Sequence, residues 1–249
     1  YVNMMDCLYK NNPIKIDIAG TVESISHITK ETLYDCYNTF YHPSNMIMCI
    51  SGNFEPEKIV QEVKKRLLPK EKMDKIKRIY PEYENKINKK CKEQKMDVNI
   101  PIFIVGFRDI LKDESCVKKQ IAIEIILNSL IGKSSKSYQK LYNEGTIMSP
   151  LDFDYEFSDE YSHVLISGQS DEPKKVYENI LNAIKNEELE LEDFERSKKA
   201  LYGEYVSEYN DVENIGRLFL QDAIRGINSL EYIESFNKID INYVQNIKR

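Results

Sequence analysis

Histidine is scarce in this chain. His27, His42 and His163 are the only three among 249 residues, and no two of them lie within one or two helical turns of each other. A catalytic zinc needs about three protein ligands and a water beside a carboxylate, so the sequence predicts no metal and no cofactor bound by this stretch. The five cysteines, Cys7, Cys36, Cys49, Cys91 and Cys116, are odd in number, far apart and never spaced Cys-x-x-Cys. That spacing fits neither a disulfide framework nor a zinc ribbon and predicts a reducing, cytoplasmic setting. No apolar run approaches the roughly 20 residues that span a bilayer, so no membrane is expected. Tyr1 is not a start methionine and no charged-then-apolar leader follows it, so the first residue is read as internal to a longer protein. The formal charge of −6 comes from 41 acidic and 35 basic residues dispersed along the chain, without the concentrated basic face that a nucleic-acid partner requires.

With 41% hydrophobic residues, 249 residues suffice for one large core or two modest ones. Thr29 is placed to cap a helix with Glu31 in its first turn, and Leu33, Tyr34, Tyr37, Phe40 and Tyr41 recur at helical spacing until Pro43. Met46 to Ile50 is apolar on both faces and reads as an interior strand, with Cys49 packed in the core. A second helix near Pro56 carries Ile59, Val60, Val63 and Leu67 as one buried stripe, with Pro69 after its end.

Lys64 to Lys95 is rich in Lys, Glu and Asn, is interrupted by Pro69 and Pro81, and keeps few apolar residues, among them Tyr80 and Tyr83. It reads as a solvated connector. Val98 to Phe107 is a strand whose Pro101 argues against a central place in a sheet. Cys116 to Ile131 is apolar nearly all round and belongs in the middle of a domain. Strands near Ile147–Phe157 and Tyr161–Gly168 follow, then helices near Pro173–Lys185 and Glu192–Tyr209, and a shorter one through Ile215, Leu218, Phe219 and Ile224. Strands mixed with runs of helices predict an α+β layer. Asp240 is placed before a last amphipathic helix much as Thr29 is before the first.

Two local patterns carry chemistry in other proteins and do not carry it here. Ile131-Gly-Lys-Ser-Ser ends like a phosphate loop, but Leu127 occupies the position of that motif's first glycine. His42, next to Pro43 at a helix end, is expected to face the helix carboxyl terminus, and His163, alternating with Tyr161 and Leu165, to pack in or on a strand.

Ile18 to Gly52 joins a Gly20-Thr-Val-Glu-Ser-Ile turn, a short amphipathic helix, the junction Tyr41-His-Pro-Ser-Asn-Met and a strand closed by Ser51-Gly52. This order resembles the insulinase/pitrilysin-type (inverzincin) zinc metallopeptidases, the group that includes mitochondrial processing peptidase and bacterial members like it. Gly132, Ser134, Ser135, Tyr138, Gln139, Leu141 and Gly145 match a second frame of that family.

The resemblance implies the end of one α+β lobe over residues 1–75, a linker over 76–96 and most of a second, non-zinc lobe over 97–249, each lobe an antiparallel or mixed sheet packed by helices. It also implies a zinc-dependent metalloendopeptidase as the parent, with zinc in the full-length protein. The inverted motif His-x-x-Glu-His does not occur here, so no catalytic residue is assigned and the segment is expected to be inactive alone.

In the family an arginine and a tyrosine hold the peptide and polarise its carbonyl. Tyr142 stands at the arginine position and Met148 at the tyrosine position. Lys133, Ser134, Ser135 and Tyr142 are the candidate substrate-facing residues. The implied role is a wall of the substrate chamber and a lobe or subunit interface, with a peptide substrate and either a second peptidase-type subunit or self-association. The alternative is a degenerate, non-catalytic scaffold or binding subunit of the same fold.

Overall fold

The computed structural model describes residues 1–67, 71, 73–74, 76–79, 81, 84, 86–109, 116–158 and 160–248. In chain order these form α1 (Val2–Leu8), α2 (Val22–Ser26), α3 (Lys30–Phe40), α4 (Pro56–Arg66), β1 (Ile102–Arg108), α5 (Cys116–Ile131), α6 (Lys136–Asn143), β2 (Asp152–Phe157) and β3 (Ser162–Gln169). Five helices follow: α7 (Pro173–Asn186), α8 (Leu191–Ser207), α9 (Val212–Arg225), α10 (Glu231–Lys238) and α11 (Ile241–Lys248). The fold is α+β, as the mixture of strands and consecutive helices predicts. The chain divides into two compact units, one of residues 1–17, 80–205 and 230–249, the other of residues 18–79 and 206–229.

The first unit is built on an antiparallel sheet in the order β1-β3-β2. Residues opposite one another share a face, so Val105, Ile166 and Phe153 lie on one side and Gly106, Leu165 and Asp154 on the other. The first side is covered by α5 and α7, which contact β2 and β1. Helix α5 is the centre of this unit, with Val117, Ile121, Ala122, Ile125, Leu130 and Ile131 buried and α6, α7, α10 and α11 packed round it. A helix apolar nearly all round can be satisfied only in such a place.

The other side of the sheet receives α1, which the sequence did not lead us to expect. Met5, Leu8 and Tyr9 form a buried cluster there with Leu165 and Tyr161 at its margin. Gly106 allows the approach: a Cβ on it would stand 2.6 Å from Met4 Sδ and 3.0 Å from Leu8 Cδ1.

Part of the predicted connector is not solvated chain but a latch on α1. The N–H groups of Asn88 and Lys89 both donate to the Cys7 carbonyl at 2.9 Å, and Lys89 and Lys92 reach Asp6. The connector's Pro69, Tyr80 and Tyr83 lie outside the described residues. β1 begins only after Pro101, later than Val98, because proline has no N–H for a ladder. It pairs with β3 alone among the described residues, so the doubt about a central place is justified. The expected strand from Ile147 is shorter too: Ile147 is buried in the turn after α6, and β2 starts at Asp152.

In the second unit, α3 starts where Thr29 predicts, with Thr29 Oγ1 accepting from the Thr32 N–H. Three other expectations fail here. Met46 to Ile50 is not an interior strand. Met46 has extended dihedrals (φ −122°, ψ 145°), but no described residue offers a ladder, and Met46, Ile47, Met48 and Ile50 are exposed. Cys49 is exposed with them rather than buried in a core. Nor is the α4 stripe buried: Ile59 and Val63 are partly covered and Val60 and Leu67 exposed. Sequence period fixes which face is apolar, and burial requires something to cover it.

The apolar face of α3, with Leu33, Tyr34, Tyr37 and Phe40, is exposed likewise. Within this unit α9 packs closely on the Ser51 turn, where Ser51 Oγ donates to the Val212 carbonyl at 2.7 Å beside Gly216.

Candidate functional site

The four residues singled out from the sequence lie at the α5–α6 junction and along α6. Gly132 makes the junction possible: a Cβ there would stand 2.4 Å from the carbonyl oxygen of Asn128, so the chain can leave α5 this tightly only without a side chain. Lys133 and Ser134 are exposed and Ser135 is buried. The Ser135 hydroxyl caps α6, accepting from the Tyr138 N–H at 3.1 Å. Arg196 Nε donates to Ser134 Oγ at 3.2 Å, and the Gln139 side chain donates to the Lys133 carbonyl. Tyr142, two turns further on, is half exposed and stacks on Tyr138 with centroids 5.8 Å apart. Ser134 and Ser135 are thus engaged within the protein, while the Lys133 and Tyr142 side chains reach solvent.

The three histidines are dispersed. His27 ends α2, with Nδ1 2.7 Å from the Glu23 carbonyl. His42 does not face a helix carboxyl terminus: it caps the short turn at Pro43–Asn45, its Nδ1 accepting from the Ser44 N–H. His163 is fully buried between the Tyr9 hydroxyl, 3.0 Å from Nδ1, and Glu156, 3.5 Å from Nε2. With no exposed surface it cannot meet a substrate, and its evident work is to hold the segment after α1 on the sheet. Among the described residues no group of three or more His, Cys, Asp or Glu is placed to hold a metal ion.

What sequence reasoning missed is a groove of about 400 Å³ in the first unit, lined by α5, β2 and the second half of α8. Its polar walls are Glu124, Asn128, Asp152, Asp154 and Glu204, and no basic side chain lines it. Glu124 accepts from Gln120 Nε2 at 2.8 Å, and the Gln120 oxygen in turn accepts from the Tyr232 hydroxyl at 2.9 Å. Burial, with the nearby Asp154 and Glu204 charges adding to it and the Gln120 hydrogen bond opposing, pushes the Glu124 carboxyl up to about 7. A signal for this site was present in the sequence: Gln120, Glu124 and Asn128 form a polar stripe at intervals of four in a helix otherwise apolar all round.

Near the groove, a polar cluster ties the end of β1 to α5 and β2. Lys119 Nζ lies 2.5 Å from Asp109 Oδ2, and the Tyr155 hydroxyl donates to the same oxygen at 2.7 Å. Burial, reinforced by that hydrogen bond, drives the Tyr155 phenol far above its ordinary range. A phenol so held is a donor and not a general base.

Residues 27–201 match the family model described as the Peptidase M16 inactive domain. The chain belongs to the M16 peptidase family. It is 34% identical to the uncharacterized zinc protease YmfH of Bacillus subtilis (strain 168) over 99% of its own length and 59% of the relative's, so it spans under two thirds of that protein. A solved M16-like peptidase from Alicyclobacillus acidocaldarius superposes with a TM-score of 0.91 at 27% identity, over 100% of this chain and 61% of that one. Complex III2 from Candida albicans contains a chain of the same fold at a TM-score of 0.78 and 12% identity, covering 99% of this chain and 62% of that one. The match to an inactive domain makes a non-catalytic segment a better description than a degenerate scaffold.

Proposed function

We propose that this chain is the non-catalytic part of a zinc-dependent M16 metalloendopeptidase, in which it forms a wall of the substrate chamber and an interface to the zinc-bearing part. The observation that carries the reading is the identity with a zinc protease along nearly the whole chain, in a match that leaves about two fifths of that relative uncovered. In this reading residues 1–75 end the first lobe, 76–96 link, and 97–249 form the second lobe. Zinc, the general base and the polarised water belong to the full-length protein, whose substrate is a peptide.

The second unit supports the interface. Leu33, Tyr34, Tyr37, Phe40, Met46 and Ile47 expose apolar surface next to an extended, unladdered segment. Such a surface asks for cover by another sheet, supplied by the rest of the same protein, by a peptidase-type subunit or by a second copy. The cytoplasmic setting rests on the five dispersed cysteines and is part of the same proposal.

The test is peptide hydrolysis by the full-length protein and by this chain, each before and after chelation. Hydrolysis by the former that chelator abolishes and zinc restores, with none by the latter, supports the reading. Hydrolysis by the full-length protein that survives chelation contradicts it.

A further inference from the structure

We propose that Cys7 and Cys91 form a redox-controlled disulfide that locks the connector onto α1, with a low-molecular-weight disulfide such as oxidised glutathione as the oxidant. The two cysteines are far apart in sequence, and the connector brings them together by running back along α1. The N–H groups of Asn88 and Lys89 donate to the Cys7 carbonyl and the Asn88 side chain donates to the Asp6 carbonyl, all at 2.9 Å. Lys89 and Lys92 reach the Asp6 carboxylate at 2.7 and 3.2 Å, and the Asn3 side chain donates to Gln94 at 2.7 Å. Asn3, Asp6 and Cys7 are spaced i, i+3, i+4 and so share one face of the helix. Cys91 lies between the anchors at Lys89 and Lys92, so the connector carries it over the face that holds Cys7. Residues 91–96 belong to no helix or strand, and their backbone can adjust to disulfide geometry without breaking a ladder.

Cys7 is buried and Cys91 exposed, which divides the chemistry between them. Burial, with the nearby Asp6 and Cys91 charges adding to it and Lys89 and Lys92 opposing, pushes the Cys7 thiol up, so Cys91 reacts first. The Cys91 thiol gives up its proton and attacks one sulfur of glutathione disulfide; the S–S bond breaks and one glutathione leaves as the thiol, carrying that proton. Cys7 then attacks the Cys91 sulfur of the mixed disulfide, and its proton leaves with the second glutathione. Two protein thiols are oxidised and one glutathione disulfide is reduced to two glutathiones. In a reducing compartment the pair stays open and closes only when the glutathione pool is oxidised. Without the bond the connector is held on α1 by hydrogen bonds and by solvated ion pairs, which contribute little. With the bond it cannot leave, so oxidation decides whether α1 and the connector part. The proposal does not rest on the peptidase reading, because the disulfide requires no zinc and no hydrolysis.

The test places the full-length protein in glutathione buffers of graded oxidation, quenches with acid, and maps disulfides by non-reducing proteolysis and mass spectrometry. The expected product is a Cys7–Cys91 crosslink. It should form at a proportion of glutathione disulfide at least about tenfold lower in the native protein than in the urea-unfolded one, as a bond favoured by the fold requires. Hydrogen exchange of the α1 amides is expected to slow by at least about tenfold on oxidation and to recover with dithiothreitol. The Cys7→Ser variant is expected to stop at a mixed disulfide of Cys91 with glutathione, with α1 exchange unchanged, and the Cys91→Ser variant to leave Cys7 unmodified. Circular dichroism checks that both variants are folded. A parent that stops at the mixed disulfide, a crosslink to Cys36, Cys49 or Cys116 in place of the expected one, a crosslink formed no more readily in the native protein than in urea, or α1 exchange indifferent to oxidation would each overturn the proposal.

Discussion

Replacing Glu124 by glutamine should alter how stability depends on pH, in a direction fixed by its surroundings. Its carboxyl titrates near 7 in the folded protein against an ordinary 4.5. Below about pH 4.5 both folded and unfolded chains hold the proton and this group costs nothing. Between 4.5 and 7 the unfolded chain has released it and the folded chain has not, so stability falls as pH rises by about 1.4 kcal/mol per pH unit. Above 7 the loss is complete at about 3 kcal/mol, an upper figure because the groove is open to water on one side.

Glutamine resembles the protonated acid in shape and stays neutral. The E124Q variant should therefore match the parent near pH 4.5 and exceed it by up to about 3 kcal/mol at pH 8. Hydrogen exchange of the interior α5 amides, compared between the two proteins at each pH, reads the first unit alone and cancels the intrinsic pH dependence of exchange. A difference that is flat from pH 4.5 to 8, or that grows towards acid, would refute the reasoning that burial and the neighbouring carboxylates govern this group.

Gly106→Ala should cost about 1–3 kcal/mol by pushing Met4 and Leu8 out of contact, measured as reduced exchange protection in β1 and α1. Phe194→Ala should cost about 3–5 kcal/mol in urea unfolding, because the ring is 2% exposed. Lys119→Ala should destabilise by about 3–5 kcal/mol by removing the ammonium 2.5 Å from the Asp109 carboxylate, whereas the double replacement of Lys119 by Met and Asp109 by Leu should cost less than the single one. Leu33→Glu with Tyr37→Glu should reduce self-association in light scattering without affecting the first unit. An unchanged mass distribution would remove α3 from the interface.

The parts of the fold governed by local rules were legible in the sequence. Thr29 and Asp240 cap the helices they precede, the latter through Asp240 Oδ1 accepting from the Tyr243 N–H, and α5 has the bounds its apolar run indicates. Pro101 argued against a central place for the strand that follows it, and among the described residues β1 pairs on one side only. Met46 to Ile50 was misread because a short run apolar on both faces suggests an interior strand but says nothing of the neighbour that would complete a ladder. The docking of α1 on Gly106 was not legible, since a long-range contact between a seven-residue helix and a glycine leaves no periodic trace. Glu124 was hidden for the opposite reason: its stripe was present, but the strong apolar character of the same helix drew attention to packing.

Zinc stoichiometry tests the central claim most directly, measured by atomic emission on the full-length product and on this 249-residue chain purified in the same way. The account predicts about one zinc per molecule in the former, as a catalytic M16-type site requires, and none retained by the latter. Zinc held by the 249-residue chain, or none in an active full-length protein, would contradict it.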